Sequence, residues 1–413
     1  MDIKLNEIKE ILKKYNQEHL LNGFENLDDD KKEALLNQIS NIDYNLVQKL
    51  YEDVNKKLEI AENEITPIEY IEKDKMNTEK RIEYEKTGED IIKKGGLAVI
   101  TMAGGQGTRL GFNGPKGACT IGLKSGKTIF EILIDVLKTA EKKYGSKVHW
   151  YLMTSKENNN DTIKFFEENN YWDYGKENVT FFVQGELPML DKNGKILRTK
   201  EGLIKEAADG HGGILEAIYK NNVLEDMQKR NIKWVYIGGV DNILAKMVDP
   251  VFIGLAEKGG YYAAGKSLVK AYPEEKVGVF CKKNGKPTVV EYTEITEEMA
   301  RATDEKGELL YGESHILCNL FSIKAIEKIS KNKLPYHTAI KKADYLDENG
   351  NYIIAESPNA YKFESFIFDA FETLENMIIM RVKREEEFAP VKNKEGVDSP
   401  ETARKLYEEY FRI

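Results

Sequence analysis

Ala98-Val-Ile-Thr-Met-Ala-Gly-Gly-Gln-Gly-Thr-Arg-Leu-Gly111, followed closely by Pro115-Lys116-Gly117, runs an apolar stretch straight into a glycine-rich turn with one arginine and one lysine. Residues 97–102 are mostly apolar and partly β-branched, the pattern of a strand covered on both faces in an α/β sheet. Gly104, Gly105, Gly107 and Gly111 remove Cβ atoms where the backbone must bend and let its N–H groups approach an anion. Arg109 and Lys116 add positive charge, so the turn is read as a phosphate site. Two better-known glycine motifs do not fit. A dinucleotide fingerprint counted from Gly105 through Gly107 finds Leu110 where the third glycine belongs. A Walker A reading of Gly122-Leu-Lys-Ser-Gly126-Lys127-Thr128 finds three residues between its glycines where four are needed.

Working outward, the segment from 95 to about 329 alternates strand-like and helix-like stretches. Strands are expected at 148–154, 179–183 and 234–238, and helices at 128–144 and 213–229. Such alternation predicts a mainly parallel sheet with a ligand crevice at the carboxyl ends of its strands. The loop at 103–117, Gln184 and Asp241 each follow one of these strands, so they are expected to converge. From Ile3 to about Lys94 the apolar spacing is helical: Ile3, Ile8, Ile11 and Leu12 share one face, and Leu35, Leu36, Ile39, Ile42, Leu46, Leu50 and Val54 continue it. Asp28 or Asp29 is placed to cap the second helix, and Thr66-Pro67 marks a break. After Leu334 shorter strands follow, with Asp347-Glu-Asn-Gly350 as a hairpin turn, and a charged helix closes the chain from 399 to 412. The expected organisation is a helical region at 1–94, a central domain at 95–330 and a small C-terminal lobe at 331–413.

Composition narrows the partners. The 413 residues are 41% hydrophobic, enough for a large core, and the formal net charge of -9 speaks against general nucleic-acid binding. A local basic pocket in an acidic protein suits a small anionic substrate. Cys119, Cys281 and Cys318 are widely spaced and show no Cys-x-x-Cys, which supports neither a disulfide framework nor a zinc site. No apolar run reaches membrane-spanning length and the first residues hold no signal-peptide core, so a cytoplasmic protein with no membrane partner is expected. Oligomeric state is not legible from these features.

The loop and its Pro-Lys-Gly resemble the signature of the eukaryotic-type UTP-dependent sugar-1-phosphate uridylyltransferases, the UDP-sugar pyrophosphorylases. The resemblance continues through Gln184-Gly185, Asp209-Gly-His-Gly-Gly213, Val240-Asp241-Asn242, Val289-Val-Glu-Tyr292 and Lys362-Phe-Glu-Ser-Phe-Ile-Phe-Asp369, covering most of the chain from about residue 60. Within the family the chain is most similar to the UDP-N-acetylhexosamine (N-acetylglucosamine) pyrophosphorylase branch, through Val240-Asp-Asn-Ile-Leu-Ala-Lys-Met-Val-Asp-Pro250 and Arg384-Glu-Glu-Glu-Phe-Ala-Pro-Val-Lys-Asn393. The fold implied is a Rossmann-like α/β nucleotidyltransferase domain with a mixed, mainly parallel sheet.

The resemblance implies attack of a sugar-1-phosphate oxygen on the α-phosphorus of UTP, giving a UDP-sugar and pyrophosphate. Two anions must meet, so positioning and cations matter more than a covalent nucleophile. Arg109, Lys116 and Lys362 are the implied catalytic cations, with Lys362 at the incoming sugar phosphate. Asp241 is the implied Mg²⁺ ligand; without the resemblance it reads equally well as a turn cap. Gln184 is expected to read the uracil edge, with Gly104, Gly105 and Gly210 bringing backbone close to the nucleoside.

The implied sugar contacts fall on His211, Gly278, Glu291 and His315. In the N-acetylhexosamine branch the two histidine positions are usually asparagine, whereas Gly-His-Gly at 210–212 is similar to UDP-glucose and broad-specificity UDP-sugar enzymes. N-acetylglucosamine-1-phosphate is therefore the first expected substrate, with glucose-1-phosphate or galactose-1-phosphate second. A sugar-nucleotide sensor without turnover is the non-enzyme alternative. His337 reads as a packing residue beside a basic helix.

Overall fold

The Leu97–Met102 strand is buried at every position in the computed structural model, which describes residues 2–56 and 64–413. It lies inside a long sheet ordered Tyr70–Glu72, Met377–Arg381, Ala263–Val269, Glu313–Ser322, Trp234–Gly239, Leu97–Met102, His149–Thr154, Val179–Val183. Neighbours in this run are parallel except where Glu313–Ser322 meets its two partners. Ile65–Pro67 and the hairpin Val279–Lys283/Lys286–Val290 extend the same sheet. The expected mixed, mainly parallel α/β sheet is what the chain forms.

The route of the chain through this sheet locates the site. From Leu97–Met102 it steps outward to His149–Thr154 and Val179–Val183, then returns to lay Trp234–Gly239 on the opposite flank of Leu97–Met102. The strand order reverses there, with Met102 registered beside Gly239. A reversal of this kind opens a crevice beyond the carboxyl ends of the two strands, because the loops leaving them diverge.

The helix Ile129–Tyr144 illustrates how packing fixes this framework. Thr128 accepts the Glu131 N–H at its start, and Gly145, at φ 71°, closes it in the left-handed conformation that favours glycine. Its face of Ile129, Phe130, Ile132, Leu133, Ile134, Leu137 and Ala140 is buried. Each large apolar side chain so covered contributes roughly 1.5–3 kcal/mol. Two other helices, Thr78–Lys93 and Pro250–Lys258, meet backbone to backbone. A Cβ on Gly88 would stand 1.9 Å from the Pro250 carbonyl oxygen, and one on Gly254 would stand 1.8 Å from that of Tyr84. Because the obstacle is backbone, Gly254→Ala must separate the helices. We expect it to lower the urea midpoint, with a cost of at least about 1–3 kcal/mol; an unchanged midpoint would show that the two helices do not cross so closely.

The chain divides into two units, each assembled from discontinuous segments: 1–61, 185–213 and 334–366 in one, 62–184, 214–333 and 367–413 in the other. This differs from the three consecutive segments expected. The first expected segment is not helical throughout: Ile65–Pro67 and Tyr70–Glu72 are edge strands of the large sheet, and Thr78–Lys93 packs on Pro250–Lys258. The C-terminal segment splits likewise, since Met377–Arg381 is a strand of the large sheet.

In the smaller unit, Asp28 and Asp43 cap Asp29–Asn41 and Tyr44–Asn55. Ile8, Leu12, Leu35, Leu36, Ile39 and Leu50 pack with Leu190, Ile196, Ile204 and Phe363. Ile11, expected on the same face, is 40% exposed. Ile3 lies among residues whose side chains fall outside the described set. The buried Arg198 guanidinium donates to the carbonyls of Asn22 at 2.6 Å and Asp347 at 2.8 Å, tying three distant segments together. The hairpin expected at 347–350 joins Tyr345–Leu346 to Tyr352–Ile353. The expected helix at 213–229 is two, Gly213–Lys220 and Val223–Lys229, interrupted where Asn222 takes φ 56°.

Candidate functional site

Ala103 to Gly117 leaves the central strand as a closed loop. Gly107 N–H donates to Gly114 at 2.9 Å, Lys116 N–H donates to Gly105 at 3.1 Å, and Gln106 bridges Pro115. A short turn, Thr108–Leu110, carries the exposed Arg109 and ends on Gly111 at φ 75°. Nothing lies within 4 Å of where a Gly105 side chain would be, so its backbone is open to a ligand. By contrast, a Cβ on Gly104 would sit 3.1 Å from the Gln184 side-chain oxygen. Gln184, buried at the end of Val179–Val183, is thus placed against the loop.

Asn158 holds this loop down, and sequence reasoning missed it. The fully buried amide donates to the carbonyls of Ala103 at 2.8 Å and Gly105 at 3.3 Å, while its oxygen accepts from Ser155 N–H at 2.9 Å. The sequence gives only an asparagine before a helix, with nothing to say that its amide turns back to the loop.

The cations gather around one carboxylate. Burial holds the Lys116 ammonium below its ordinary range; Asp241 opposes that shift, and Lys392 and Arg109 add to it. Three positive groups and Asp241 therefore share one field, the arrangement a polyphosphate needs. Lys392 belonged to a recognised motif yet was given no role. It reaches this field because Val391 N–H donates to the Asp241 carbonyl at 2.9 Å, while the Asn242 side chain clamps both Glu387 and Ala389.

Asp241, two residues past Trp234–Gly239, has a half-buried side chain with no ion pair or hydrogen bond to it among the described residues. No group of three or more His, Cys, Asp or Glu placed to hold a metal occurs among the described residues. That donor set fits Mg²⁺ rather than a protein-caged ion. Mg²⁺ keeps waters and substrate phosphate oxygens and takes only one or two carboxylates from the protein.

The sugar-contact candidates divide between the units. Gly278, Glu291 and His315 come together in the larger one: His315 N–H donates to the Gly278 carbonyl at 2.9 Å, and a Cβ on Gly278 would be 3.4 Å from a Glu291 carboxylate oxygen. The His315 ring meets Phe280 edge-on with centroids 4.9 Å apart. In the smaller unit, Asp209 to Gly213 is laid along Ser365. Gly212 N–H donates to the Ser365 carbonyl at 2.8 Å and Ser365 N–H donates to that of Asp209 at 2.7 Å.

A Cβ on Gly210, at φ 86°, would stand 2.3 Å from the Ser365 carbonyl oxygen, so this packing by itself requires glycine. His211 stacks on Phe366 at 5.3 Å, and His337 stacks on the same ring at 4.5 Å. His337 lies on the strand His337–Lys341, not beside a basic helix. Lys362, on Ala360–Glu364, pairs with Glu364 at 2.8 Å.

Burial pushes the His211 imidazole down to about 4, with His337 adding to the shift, and burial likewise pushes His149 down to about 4. In the unfolded chain both titrate near the ordinary 6.5. Between these values the unfolded state binds more protons, so stability is held above about pH 6.5 and falls as pH drops toward 4. Thermal unfolding across this range is expected to show that decline, with His149→Gln shallower than the parent; parallel curves would contradict it. The three cysteines are buried, and burial raises their thiols to about 11 or 12, as expected of bystanders. No helix is long and apolar enough to cross a membrane among the described residues.

The chain is 37% identical over 426 residues to the UDP-N-acetylglucosamine pyrophosphorylase of Saccharomyces cerevisiae, covering 98% of this chain and 89% of that protein. It is 39% identical over 350 residues to human UDP-N-acetylhexosamine pyrophosphorylase-like protein 1, covering 82% of this chain and 69% of the relative. The crystal structure of the uridine diphosphate N-acetylglucosamine pyrophosphorylase of Trypanosoma brucei superposes with a TM-score of 0.83 at 31% identity, over 98% of this chain and 84% of that one. The sequence profile described as UTP–glucose-1-phosphate uridylyltransferase matches residues 43–397, most of the chain, and the chain belongs to this family of nucleotidyltransferases.

Proposed function

We propose that the protein transfers the uridylyl group of UTP to N-acetylglucosamine-1-phosphate, releasing pyrophosphate and UDP-N-acetylglucosamine. The observation that carries this reading is the cationic loop at the strand-order reversal, where Arg109, Lys116 and Lys392 share a field with Asp241. In the proposal Arg109 forks onto the outer phosphates of UTP, which leave as pyrophosphate. Lys116 stands where charge builds on the transferring phosphoryl group, and its partial desolvation strengthens that interaction. Lys362 neutralises the incoming sugar phosphate. Gln184 presents an amide, both donor and acceptor, to the uracil edge, with Gly104, Gly105 and Gly210 assigned to the nucleoside. Asp241 would hold Mg²⁺, which when bound draws negative charge off the phosphate oxygens.

The sugar is assigned to the residues that the sequence resemblance implies for it, His211, Gly278, Glu291 and His315. The relatives named for UDP-N-acetylglucosamine favour the N-acetylated sugar. A plain hexose-1-phosphate is the second reading, favoured by histidine at 211 and 315. The sensor reading has less support, because Arg109, Lys116 and Asp241 are all retained. A cytoplasmic location, with UTP and a sugar-1-phosphate as partners and neither nucleic acid nor membrane, belongs to the same proposal. The test is pyrophosphate release from UTP and Mg²⁺ with the 1-phosphates of N-acetylglucosamine, N-acetylgalactosamine, glucose and galactose side by side. The N-acetylglucosamine compound should give the highest kcat/KM. Preference for a plain hexose would transfer specificity to the two histidines, and no release with any sugar would favour the sensor.

A further inference from the structure

A cavity of about 800 Å³ opens in the larger unit, and none of its lining residues is assigned above to UTP, metal or sugar. It is lined from the helices Thr78–Lys93, Ile129–Tyr144 and Pro400–Phe411 and from the loop 243–249. Pockets that hold small molecules run from about 300 to 1,000 Å³ and combine apolar surface with a few polar groups. This cavity has that size, and Ile132, Val136 and Val248 give it an apolar part.

Charge decides what kind of molecule it suits. Seven lysines and arginines line it against three acids, in a chain whose net charge is -9. Two of the acids are already matched: Lys127 meets Asp135 at 2.6 Å, and Lys73 meets Asp249 at 2.7 Å. Glu85 is the lining acid left. Lys246 and Lys143 reach carboxylates that do not line the cavity, Glu386 at 3.4 Å and Glu89 at 3.6 Å. Lys138 donates to the Trp172 carbonyl at 2.8 Å, which leaves its charge in place. Arg81 and Lys142 make no ion pair among the described residues. Arg81, Lys138 and Lys142 therefore stand against Glu85 alone, a surplus that favours an anion.

The helix Pro400–Phe411 adds aromatic rings. Tyr407, Tyr410 and Phe411 all line the cavity, with the Phe411 centroid 4.5 Å from that of Tyr407 and 4.9 Å from that of Tyr410. Tyr410 is 37% and Phe411 49% exposed, and the Lys246 ammonium lies 5.2 Å from the Tyr410 centroid. Rings left open to water beside cations gain most from a flat partner that also carries negative charge.

We propose that this cavity is a second binding site, for a nucleotide, with the base against Tyr407, Tyr410 and Phe411 and the phosphates among Arg81, Lys138 and Lys142. Inorganic phosphate would leave the rings exposed, and an uncharged aromatic would leave the cations unmatched. Stacking tolerates any base because each presents a π-face, so the site selects the class of ligand rather than one base. The proposal is independent of the uridylyl-transfer reading.

The test is equilibrium titration of the full chain with ATP, in the presence of excess UDP-N-acetylglucosamine to fill the crevice. Saturable binding is expected, with tripolyphosphate and adenosine each weaker by about tenfold or more. Phe411→Ala should weaken ATP binding roughly tenfold, and Arg81→Ala combined with Lys142→Ala by a similar factor. All three side chains are exposed, so both variants should keep the wild-type urea midpoint. Lys116→Ala, altered in the crevice, should bind ATP as wild type does. No saturable binding of ATP, tripolyphosphate or adenosine binding as tightly as ATP, or loss of ATP binding in Lys116→Ala but not in the cavity variants would overturn the proposal. Absence of pyrophosphate release with every sugar would refute the functional reading alone, because the titration does not depend on turnover.

Discussion

Lys116→Ala is expected to lower kcat by about 10²- to 10³-fold, the usual cost of removing one preorganised charge from a transferring group. Thermal stability should be unchanged or slightly higher. Both outcomes follow from the same field. Burial and the neighbouring Lys392 and Arg109 make the folded protein an unfavourable host for this ammonium, with Asp241 as the opposing charge. Removing it relieves repulsion in the protein alone but deprives the anionic reactants of a cation. Steady-state pyrophosphate release beside a melting curve checks the pair. A loss of activity accompanied by a matching loss of stability would show that Lys116 is structural.

Lys266→Met is expected to have the largest effect on stability. Lys266 and Glu387 are buried 2.5 Å apart, Lys266 lies 2.8 Å from Asp249, and Lys73 bridges the same two carboxylates at 2.7 and 3.2 Å. Asp249 also caps Pro250–Lys258 through the Val251 and Phe252 N–H groups. Breaking a buried pair by removing one member costs about 3–5 kcal/mol, a large part of the 5–15 kcal/mol that holds a typical protein together.

The size of this loss should also depend on pH. Burial alone would raise the Asp249 carboxyl, but Lys266 and Lys73 hold it well below the usual carboxylate range. Its contribution is therefore present above about pH 4, where the unfolded carboxyl ionises, and lost in stronger acid. For Lys266, burial works against the charge but Asp249 and Glu387 raise it above the ordinary lysine range, so its contribution persists below about pH 10.5 and is lost only in strong base. The wild-type cluster should leave stability flat through neutrality. In Lys266→Met Asp249 keeps only Lys73, which it shares with Glu387, and the desolvated Asp249 carboxyl gains affinity for a proton. The loss of stability relative to wild type should then be smaller at pH 5 than at pH 7, as urea denaturation of both proteins at the two values would read. Equal midpoints in wild type and variant would show that the cluster is not desolvated.

What could be read in the sequence was local. The buried strand, its glycine turn, Asp241 past the next inner strand and the Asp28 cap all depend on residues a few positions apart, where backbone geometry and chemistry are tied directly. Convergence of the loop, Gln184 and Asp241 was legible too, because a parallel sheet places the exits of its strands at one end.

The parts that were not legible depend on distance. Tyr70–Glu72 and Met377–Arg381 are short, and neither announces its neighbour; they pair with each other only because both complete one sheet edge. The division into discontinuous units follows from such pairings and from ties like that of Arg198 to Asn22 and Asp347. Asn158 and Lys392 were missed for a similar reason, since their roles lie in what they face across the fold. Leu317, at φ 54° inside the strand Glu313–Ser322, brings His315 Nε2 within 3.2 Å of the Asn319 amide oxygen four residues on, and that irregularity leaves no trace in residue spacing.

The central claim is that a sugar phosphate attacks the α-phosphorus of UTP. It is tested most directly by supplying N-acetylglucosamine-1-phosphate with its phosphate oxygens labelled by ¹⁸O, together with unlabelled UTP and Mg²⁺, and weighing the products. The account predicts that the label is retained in UDP-N-acetylglucosamine and absent from pyrophosphate, because the bond broken lies between the α- and β-phosphates of UTP. Label in the pyrophosphate, or no UDP-sugar from protein that is folded and binds UTP, would contradict it.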